Sequence, residues 1–263
     1  MLSSDVFVPT SGNLSLAWAE VFAVLMERGT AEVGPAVVTV SDFDENGNPN
    51  EVLGIRERVD KELELLTGRS VDDVATTIFP ISLWNPNLKD DGKALFARFA
   101  KIWPRLQERS RLNAKGSYFQ RLTAYNGPNG KTINQLENVI ETYKDGLRRR
   151  SAFQASIYDP GQDHTDQPYQ GFPCLQQLSF APSGKDLTVT GYYMLQYAVD
   201  RAYGNYLGLC RLGRFMAQQM NLRLRRVVCI SSVLMLGKKK QDLQDLAKDV
   251  RALTKEQESA HSG

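Results

Sequence analysis

Cys174 is the residue whose type and setting best suit covalent chemistry. It follows Pro173 at the start of a segment with the pattern of a strand. Only the thiolate of a cysteine is a nucleophile, and neighbouring positive charges favour that form. The triplet Arg148–Arg150, before the preceding predicted strand, would supply such charges. Taken alone, Cys174 is most simply a small buried hydrophobic side chain and the triplet a solvated corner, so both interpretations remain open.

Other common catalytic motifs are absent from the sequence. It has no GxSxG, no HExxH and no glycine-rich phosphate loop, and its two histidines, His164 and His261, lie in a polar loop and in the tail. The spacing of Asp159, Asp163 and Asp166 matches no established loop of oxygen ligands, so we interpret them as a solvated acidic loop. We therefore expect no metal site.

Composition and charge limit the class of protein. The 263 residues are 42% hydrophobic and 24% charged, with a net charge of +2, which argues against nucleic acid as a partner. No apolar run approaches the roughly 20 residues that span a bilayer, so we expect no membrane association. The N-terminus lacks the pattern of a signal peptide. Three cysteines without CxxC spacing fit a reducing compartment, and we expect a cytoplasmic protein.

The N-terminal part of the chain has the patterns of several helices and one strand. Apolar spacing predicts an amphipathic helix over 14–29, and a β-branched run predicts a strand over 36–43. Residues 57–115 have a mainly helical pattern broken by three prolines, of which Pro104 is the last. Irregular alternation of helices and strands follows.

A second group of predicted elements lies before and after Cys174 in the sequence. Thr132 and Gln135 form a capping-box pattern that opens a helix, and a strand is predicted over 150–158. Strands follow over 174–181 and 186–196, joined by Pro-Ser-Gly as a hairpin. A long apolar helix over 203–219 and a buried strand over 227–236 complete the set, which predicts one α+β or α/β domain with five or six strands.

The order of features between residues 115 and 236 is distinctive. A capped helix and an arginine pair precede a strand ending in YDP and an aspartate-containing loop, followed by Pro-Cys, a hairpin and a helix with an asparagine. The segments are INQLENVIETYKDGLRRRSAFQASIYDPGQD, FPCLQQLSFAPSGKDLTVTGYYMLQ and GNYLGLCRLGRFMAQQMNL. This order resembles the thymidylate synthase family, in particular the branch in which leucine follows the nucleophilic cysteine. GSYFQRL at 116–122 is similar to the family's GxYGxxL region.

The resemblance implies roles for individual residues. In that family a cysteine thiolate adds to C6 of a pyrimidine nucleotide, and C5 then attacks a one-carbon unit carried by a reduced folate. The resemblance aligns Cys174 with the family's nucleophile. It aligns Asn205 with the asparagine that hydrogen-bonds the amide edge of the base. Arg149 and Arg150 align with an arginine pair that reaches across a dimer interface and binds the phosphate of the nucleotide in the partner subunit. An alternative alignment would assign this role to Arg148 instead.

A slipped register is the alternative for one further residue. With a three-residue gap, Asp200 would fall on the family's base-contacting aspartate, but Asn205 would leave its position. The placement without a gap keeps Asn205, and Asp200 and Arg201 are then candidate substitutes for lost polar groups. Both are otherwise exposed charges at the entry to a helix.

Several positions depart from the family pattern. Met194, Leu195 and Tyr197 stand where the family has a phosphate-binding arginine, a serine and the base-contacting aspartate. Met235 and Gly237 replace the histidine and tyrosine that hold the sugar hydroxyl. Losing such charge-assisted hydrogen bonds, each about 1.5–3 kcal/mol, would weaken binding of an ordinary deoxynucleotide.

The catalytic glutamate of the family has no secure counterpart. Glu62 and Glu64 lie near its expected position. The resemblance implies a single domain over residues 1–240, with a mixed sheet flanked by helices, a divergent insertion at about 67–114 and a helical tail over 241–263. It also implies a two-fold homodimer packed sheet to sheet.

Two functions remain open from the sequence. The first is one-carbon transfer to C5 of a pyrimidine nucleotide or nucleoside through Cys174, with 5,10-methylenetetrahydrofolate as donor. The second is a catalytically inactive dimer of the same fold that binds a nucleotide or a protein partner. Retention of Cys174 and Asn205 favours the first, and the loss of phosphate and sugar contacts favours the second.

Overall fold

The computed structural model describes residues 6–28, 32–88, 91–109, 113–146, 149–164 and 173–261. The helices are α1 (Leu14–Glu27), α2 (Leu53–Thr67), α3 (Val71–Thr76), α4 (Asp91–Arg109), α5 (Tyr118–Thr123), α6 (Gln135–Lys144), α7 (Pro160–Asp163), α8 (Tyr203–Gln219) and α9 (Gln244–His261). The strands are β1 (Glu32–Val33), β2 (Ala36–Val40), β3 (Tyr125–Asn126), β4 (Thr132–Ile133), β5 (Gln154–Ser156), β6 (Leu175–Ser183), β7 (Asp186–Tyr197) and β8 (Arg223–Met235).

Six strands form one mixed sheet. Its order is β5, β6, β7, β8, and both β1 and β2 pair with the far side of β8. β6 and β7 are an antiparallel hairpin, whereas β7 and β8 run parallel with Gly191 opposite Cys229. A parallel pair needs a crossover connection, and α8 provides it while packing on both strands. The predicted mixed sheet with flanking helices is confirmed.

The two faces of this sheet differ in burial. Along β8, Val227 and Cys229 are buried in the hydrophobic core, whereas the alternating Ile230 is only half-buried. Along β7, Tyr193 is fully buried, while its neighbours Tyr192 and Met194 are 38% and 54% exposed. Because strand side chains alternate between faces, one face packs into the core and the other is left partly open.

Glycines allow α8 to pack closely on α3. A Cβ atom on Gly204 would lie 2.5 Å from Cβ of Val74, and one on Gly208 would lie 2.9 Å from the carbonyl oxygen of Ala75. Neither position has room for a side chain, because a backbone oxygen cannot move aside as a flexible side chain can. The spacing of four residues places both glycines on one face of α8.

The C-terminal helix α9 is attached to the rest of the fold. Leu243, Leu246 and Val250 are buried, as the sequence pattern predicts, and α9 packs on α1 and α2. Arg58 of α2 binds Asp249 of α9 at 2.8 Å. The tail is therefore part of the same core.

The predicted capping box at Thr132 and Gln135 is wrong. Thr132 belongs to β4, and Asn134 caps α6 by accepting a hydrogen bond from the Glu137 N–H at 3.1 Å. Gln135 instead joins α6 to β5, since its amide donates to the Ser156 carbonyl at 2.7 Å and accepts from the Ser156 N–H at 2.8 Å. An asparagine two residues after the expected threonine caps a helix equally well, so the sequence offers two positions for the cap.

Other boundaries also differ from the predictions. Pro104 lies within α4 and does not break it; its position is exposed, where water can bond the carbonyl that loses its helical partner. β6 continues to Ser183, so the tight turn lies at Gly184 with a φ of 58°. The strand predicted over 150–158 is shortened to Gln154–Ser156.

No helix in the described part of the chain is both long enough and apolar enough to cross a membrane.

Candidate functional site

A cavity of about 600 Å³ opens where β6 begins and β7 ends. Its walls come from α3, the turn before α5, the end of β7 and the first turn of α8. This volume is within the range of roughly 300–1,000 Å³ that small-molecule sites occupy. Both Cys174 and Asn205 line it, so the structure brings together two residues that lie 31 positions apart by their numbering.

Cys174 is held at the cavity by the β6–β7 hairpin. Its carbonyl oxygen accepts a hydrogen bond from the Met194 N–H at 3.0 Å, which fixes the backbone just before β6. The side chain is partly buried, unlike those of Cys210 and Cys229, which are fully enclosed in the core. Burial raises the pKa of the Cys174 thiol, and the positive charge of Arg201 opposes that rise. The net rise favours the thiol at neutral pH.

Asn205 presents a buried amide to the cavity. It is only 4% exposed, and its side chain has no hydrogen-bond partner among the described residues. A carboxamide on a cavity wall can both donate and accept hydrogen bonds, so it would favour a ligand with complementary donors and acceptors.

Gln196 provides a second buried carboxamide in the same wall. It is 1% exposed and lines the cavity. Its oxygen accepts a hydrogen bond from the Ser231 hydroxyl at 3.1 Å, and its nitrogen has only a long contact, 3.8 Å, to the sulfur of Cys229. Ser231 therefore orients this amide, and the poorly satisfied N–H groups remain available to a ligand.

The residues just before α8 form a π-helical turn over Ala198–Ala202. Arg201 of this turn lines the cavity and forms no salt bridge with a described residue. Asp200 does not line the cavity; one of its carboxylate oxygens lies 3.3 Å from Nζ of Lys238 and the other is buried without a partner in the described structure. Wider π turns often occur at functional sites, and here the turn sends adjacent charges in different directions.

The start of α5 carries Tyr118 and a buried ion pair. Tyr118 lines the cavity, and burial raises its pKa to about 12, so its hydroxyl stays protonated at neutral pH. Arg121 donates to both oxygens of Asp163, at 2.5 and 2.7 Å, and to the carbonyl oxygen of Lys115. These bonds hold the turn before α5 in place. The sequence showed the segment GSYFQRL but not that it faces Cys174.

The other predicted site residues lie elsewhere in the chain. Arg149 and Arg150 are exposed in a short turn before β5 and do not line the cavity. Glu62 is paired with Arg58 at 2.8 Å and Glu64 is exposed, so neither faces the cavity. Asp73 is the one carboxylate among the described residues that line it.

No described group of three or more histidine, cysteine, aspartate or glutamate side chains converges as a metal site would require. Asp163, one of the acidic-loop residues, binds Arg121, and Asp159 caps α7 by accepting from the Gly161 N–H at 3.0 Å. Asp166 lies outside the described residues.

No protein-family description matches the chain, and no curated protein sequence is significantly similar to it.

Proposed function

We propose that this chain is a thymidylate-synthase-like protein that transfers a one-carbon unit to C5 of a pyrimidine nucleotide or nucleoside through a covalent adduct on Cys174. One observation carries the proposal. A cysteine thiol and the carboxamide of Asn205, which bonds no described residue, line the same cavity. Addition to a pyrimidine ring needs a nucleophile and a group that hydrogen-bonds the amide edge of the ring, and Cys174 and Asn205 are of these two types.

The chemistry follows from these groups. The Cys174 thiolate would add to C6 of the ring and make C5 nucleophilic, and a bound reduced folate would supply the one-carbon unit. The unit would replace the C5 proton, the folate amine would leave the transferred carbon, and elimination of Cys174 from C6 would restore the double bond of the ring. Asn205 and Gln196 would hold the edge of the ring by hydrogen bonds. Because the pKa of Cys174 is raised, the thiol must lose its proton as the ring binds. Asp73 is the one carboxylate among the described residues that line the cavity.

A homodimer is part of the same proposal. The half-open face of the sheet, with Tyr192 and Met194 exposed beside the half-buried Ile230, provides an apolar surface for a second copy. Arg149 and Arg150 do not line the cavity of their own chain, so their role toward phosphate would be a role toward the partner's cavity. A cytoplasmic location agrees with three free cysteines.

The experiment is a ligand-stabilisation screen. Uracil and cytosine bases, nucleosides and monophosphates would be added with and without 5,10-methylenetetrahydrofolate, and the melting temperature measured. A ligand that binds the folded state at 100 times its Kd stabilises it by about 2.7 kcal/mol. We expect a pyrimidine to raise the melting temperature and Asn205→Ala to remove the shift while the unliganded protein melts normally.

A second candidate is a catalytically inactive binding protein of the same fold. The raised pKa of Cys174 and the absence of a glutamate among the described lining residues favour it. Incubation with a stabilising pyrimidine and the folate, followed by mass spectrometry, separates the two. Product formation that is lost in Cys174→Ala supports the enzyme, whereas ligand binding without product, equal in both proteins, supports the binding protein.

A further inference from the structure

A groove outside the candidate site runs between the C-terminal end of α1 and the helix α9. Its volume is about 420 Å³, and its described lining residues belong to these two helices. Met26 and Glu27 come from α1, whereas the α9 side extends from Gln244 to Lys255. Both helices lie outside residues 115–236, where the resemblance to the thymidylate synthase family is found, so that resemblance gives the groove no role.

The floor of the groove is apolar. Met26 and Ala247 are half-buried and pack against the hydrophobic core, and Ala252 also lines the groove. The two alanines leave a hollow, because neither side chain extends beyond its Cβ atom. A large apolar side chain of a partner would fill this hollow and remove its apolar surface from water.

The same groove is lined by three cations, Lys248, Arg251 and Lys255. Glu27 is the one carboxylate among the described lining residues, and it binds Arg251 at 3.1 Å. The side chains of this pair are 65% and 63% exposed, so water and salt screen it strongly. Lys248 and Lys255 form no salt bridge with a described residue. The groove therefore has two cations that await a counter-charge.

Neighbouring negative groups do not cancel these cations. The last carbonyl groups of α1 form the negative end of its helix dipole, but Nζ of Lys240 donates to the Met26 carbonyl at 3.0 Å and also to the Arg28 carbonyl. The acidic residues of α9 do not line the groove, and one of them, Asp249, binds Arg58 at 2.8 Å. The excess positive charge thus remains on the groove side of α9.

The three cations follow one another along α9. With a rise of about 1.5 Å per residue, Lys248 and Lys255 are about 10 Å apart along the helix axis, and Arg251 lies between them. Because seven residues make nearly two turns, all three lie on one side of the helix. Such a row does not converge on one small anion, but it matches carboxylates repeated along one face of a second helix.

The described lining of the groove includes no aromatic side chain. Proteins that bind single-stranded nucleic acid stack its bases on aromatic rings. An acidic protein partner therefore suits the groove better than a nucleic acid does.

We infer that the groove between α1 and α9 is a docking site for an acidic amphipathic helix of another protein. An apolar side chain of that helix fills the hollow at Ala247 and Ala252, and carboxylates on either side of it bind Lys248 and Lys255. The inference is independent of the proposed function, because none of these residues lines the cavity that contains Cys174.

Fluorescence anisotropy with the full chain and a labelled synthetic peptide tests the inference. The probe is a helix of three identical heptads with leucine along one face and glutamate on both sides of that face. Two control peptides carry glutamine in place of every glutamate, or alanine in place of every leucine. A labelled single-stranded DNA is the fourth probe.

Two protein variants reverse the same amount of charge at different places. Lys248→Glu/Lys255→Glu changes the groove, and Lys101→Glu/Arg105→Glu changes an exposed basic pair on α4 as the matched control. All four side chains are exposed, so both variants should keep the melting temperature of the parent. If the groove variant melts early, Lys248→Gln/Lys255→Gln replaces it, since glutamine removes the charge without reversing it.

We expect the acidic peptide to bind with a Kd below about 100 µM. The groove variant should weaken this binding about tenfold or more, because reversal turns two attractions into repulsions, and the control variant less than about threefold. Added salt should weaken binding as well. Both control peptides should bind less tightly, one because it lacks charge and the other because it leaves the hollow empty.

The remaining outcomes contradict the inference. Failure of the acidic peptide to reach saturable binding overturns it. Equal weakening in the two protein variants also overturns it, since the attraction would then belong to the whole surface, and so does a control peptide that binds as tightly as the acidic one. DNA that binds more tightly than the peptide, and is lost in the groove variant, overturns it in favour of a nucleic acid.

Discussion

At the scale of single residues, Cys174 experiences two opposed influences. Burial raises the pKa of its thiol, and Arg201 lowers it. We expect Arg201→Met to raise this pKa further, so that alkylation by iodoacetamide begins at a higher pH. The measurement is the labelling rate of Cys174 against pH, followed by mass spectrometry. An identical pH profile in the variant and the parent would show that Arg201 does not act on the thiol.

The other two cysteines provide an internal reference for that experiment. Cys210 and Cys229 are 0% and 2% exposed, and burial raises the pKa of both. They should react far more slowly than Cys174 in the folded protein. Comparable labelling of all three would mean that the reagent reports unfolding rather than the cavity.

Asp163 carries a residue-scale prediction on stability. Replacing it by alanine leaves the buried guanidinium of Arg121 without its partner, which we expect to cost about 3–5 kcal/mol of unfolding free energy. Urea unfolding measures this cost. The matched control is Asp186→Ala, which removes the exposed pair with Arg223 and should cost about 1 kcal/mol or less. Equal costs would contradict the structural role of Asp163.

The same residue gives a pH dependence. Burial alone would raise the pKa of Asp163, but hydrogen bonds from Arg121 and from the Asp159 N–H lower it overall. A carboxyl whose folded pKa is depressed stabilises the protein fully above its unfolded value, about 3.9, and this contribution is lost as the pH falls through the folded pKa. We therefore expect the unfolding free energy to decrease below about pH 4, and less steeply in Asp163→Asn.

At the scale of elements, the contact between α3 and α8 determines the shape of the cavity. Gly208→Ala should cost about 1–3 kcal/mol through overpacking against the Ala75 carbonyl, although alanine is the better helix former by about 1 kcal/mol. It should also weaken ligand binding, since α8 carries Asn205. Thermal unfolding checks the first effect.

A surface glycine provides the control for that substitution. Gly161 lies in the short helix α7, where a Cβ atom would meet only the side-chain oxygen of Asp159, at 3.3 Å. Gly161→Ala should change stability by less than about 0.5 kcal/mol. A similar loss of stability in Gly161→Ala and Gly208→Ala would show that close packing between α3 and α8 is not the cause.

Elements with a strong pattern could be predicted from the sequence, and their junctions could not. The periodic apolar faces of α1, α8 and α9 and the alternation in β6 and β7 reflect burial directly, so these elements were correct. The cap at Asn134 and the continuation of α4 through Pro104 depend on the exposure of single backbone groups. Periodicity carries no information about such groups.

The candidate site shows the same division. The resemblance suggested Cys174 and Asn205, and the structure brings both to one cavity. Tyr118, Gln196 and Arg69 were missed as cavity residues because each reaches it through tertiary contacts of elements distant in sequence. The segment GSYFQRL was the one available signal, and it pointed to Tyr118.

At the scale of the whole molecule, the open face of the sheet predicts assembly. We expect a homodimer by light scattering at micromolar concentration, and Met194→Lys should convert it to a monomer because a buried lysine charge opposes the interface. Leu65→Lys is the control, since Leu65 is 74% exposed on α2, away from the sheet. A monomeric parent protein would remove the dimer and the cross-chain role of Arg149 and Arg150.

The two walls of the cavity differ in how firmly they are built. One wall is the end of β7 and the start of α8, at the centre of the sheet and its crossover. The other includes the turn before α5, which is held mainly by the side chain of Arg121. Backbone amides of the first wall should exchange with deuterium only when the whole fold opens, and those of the second through smaller, more frequent openings. A ligand that touches both walls should therefore slow deuterium exchange in the turn before α5 and leave exchange at the end of β7 and the start of α8 almost unchanged.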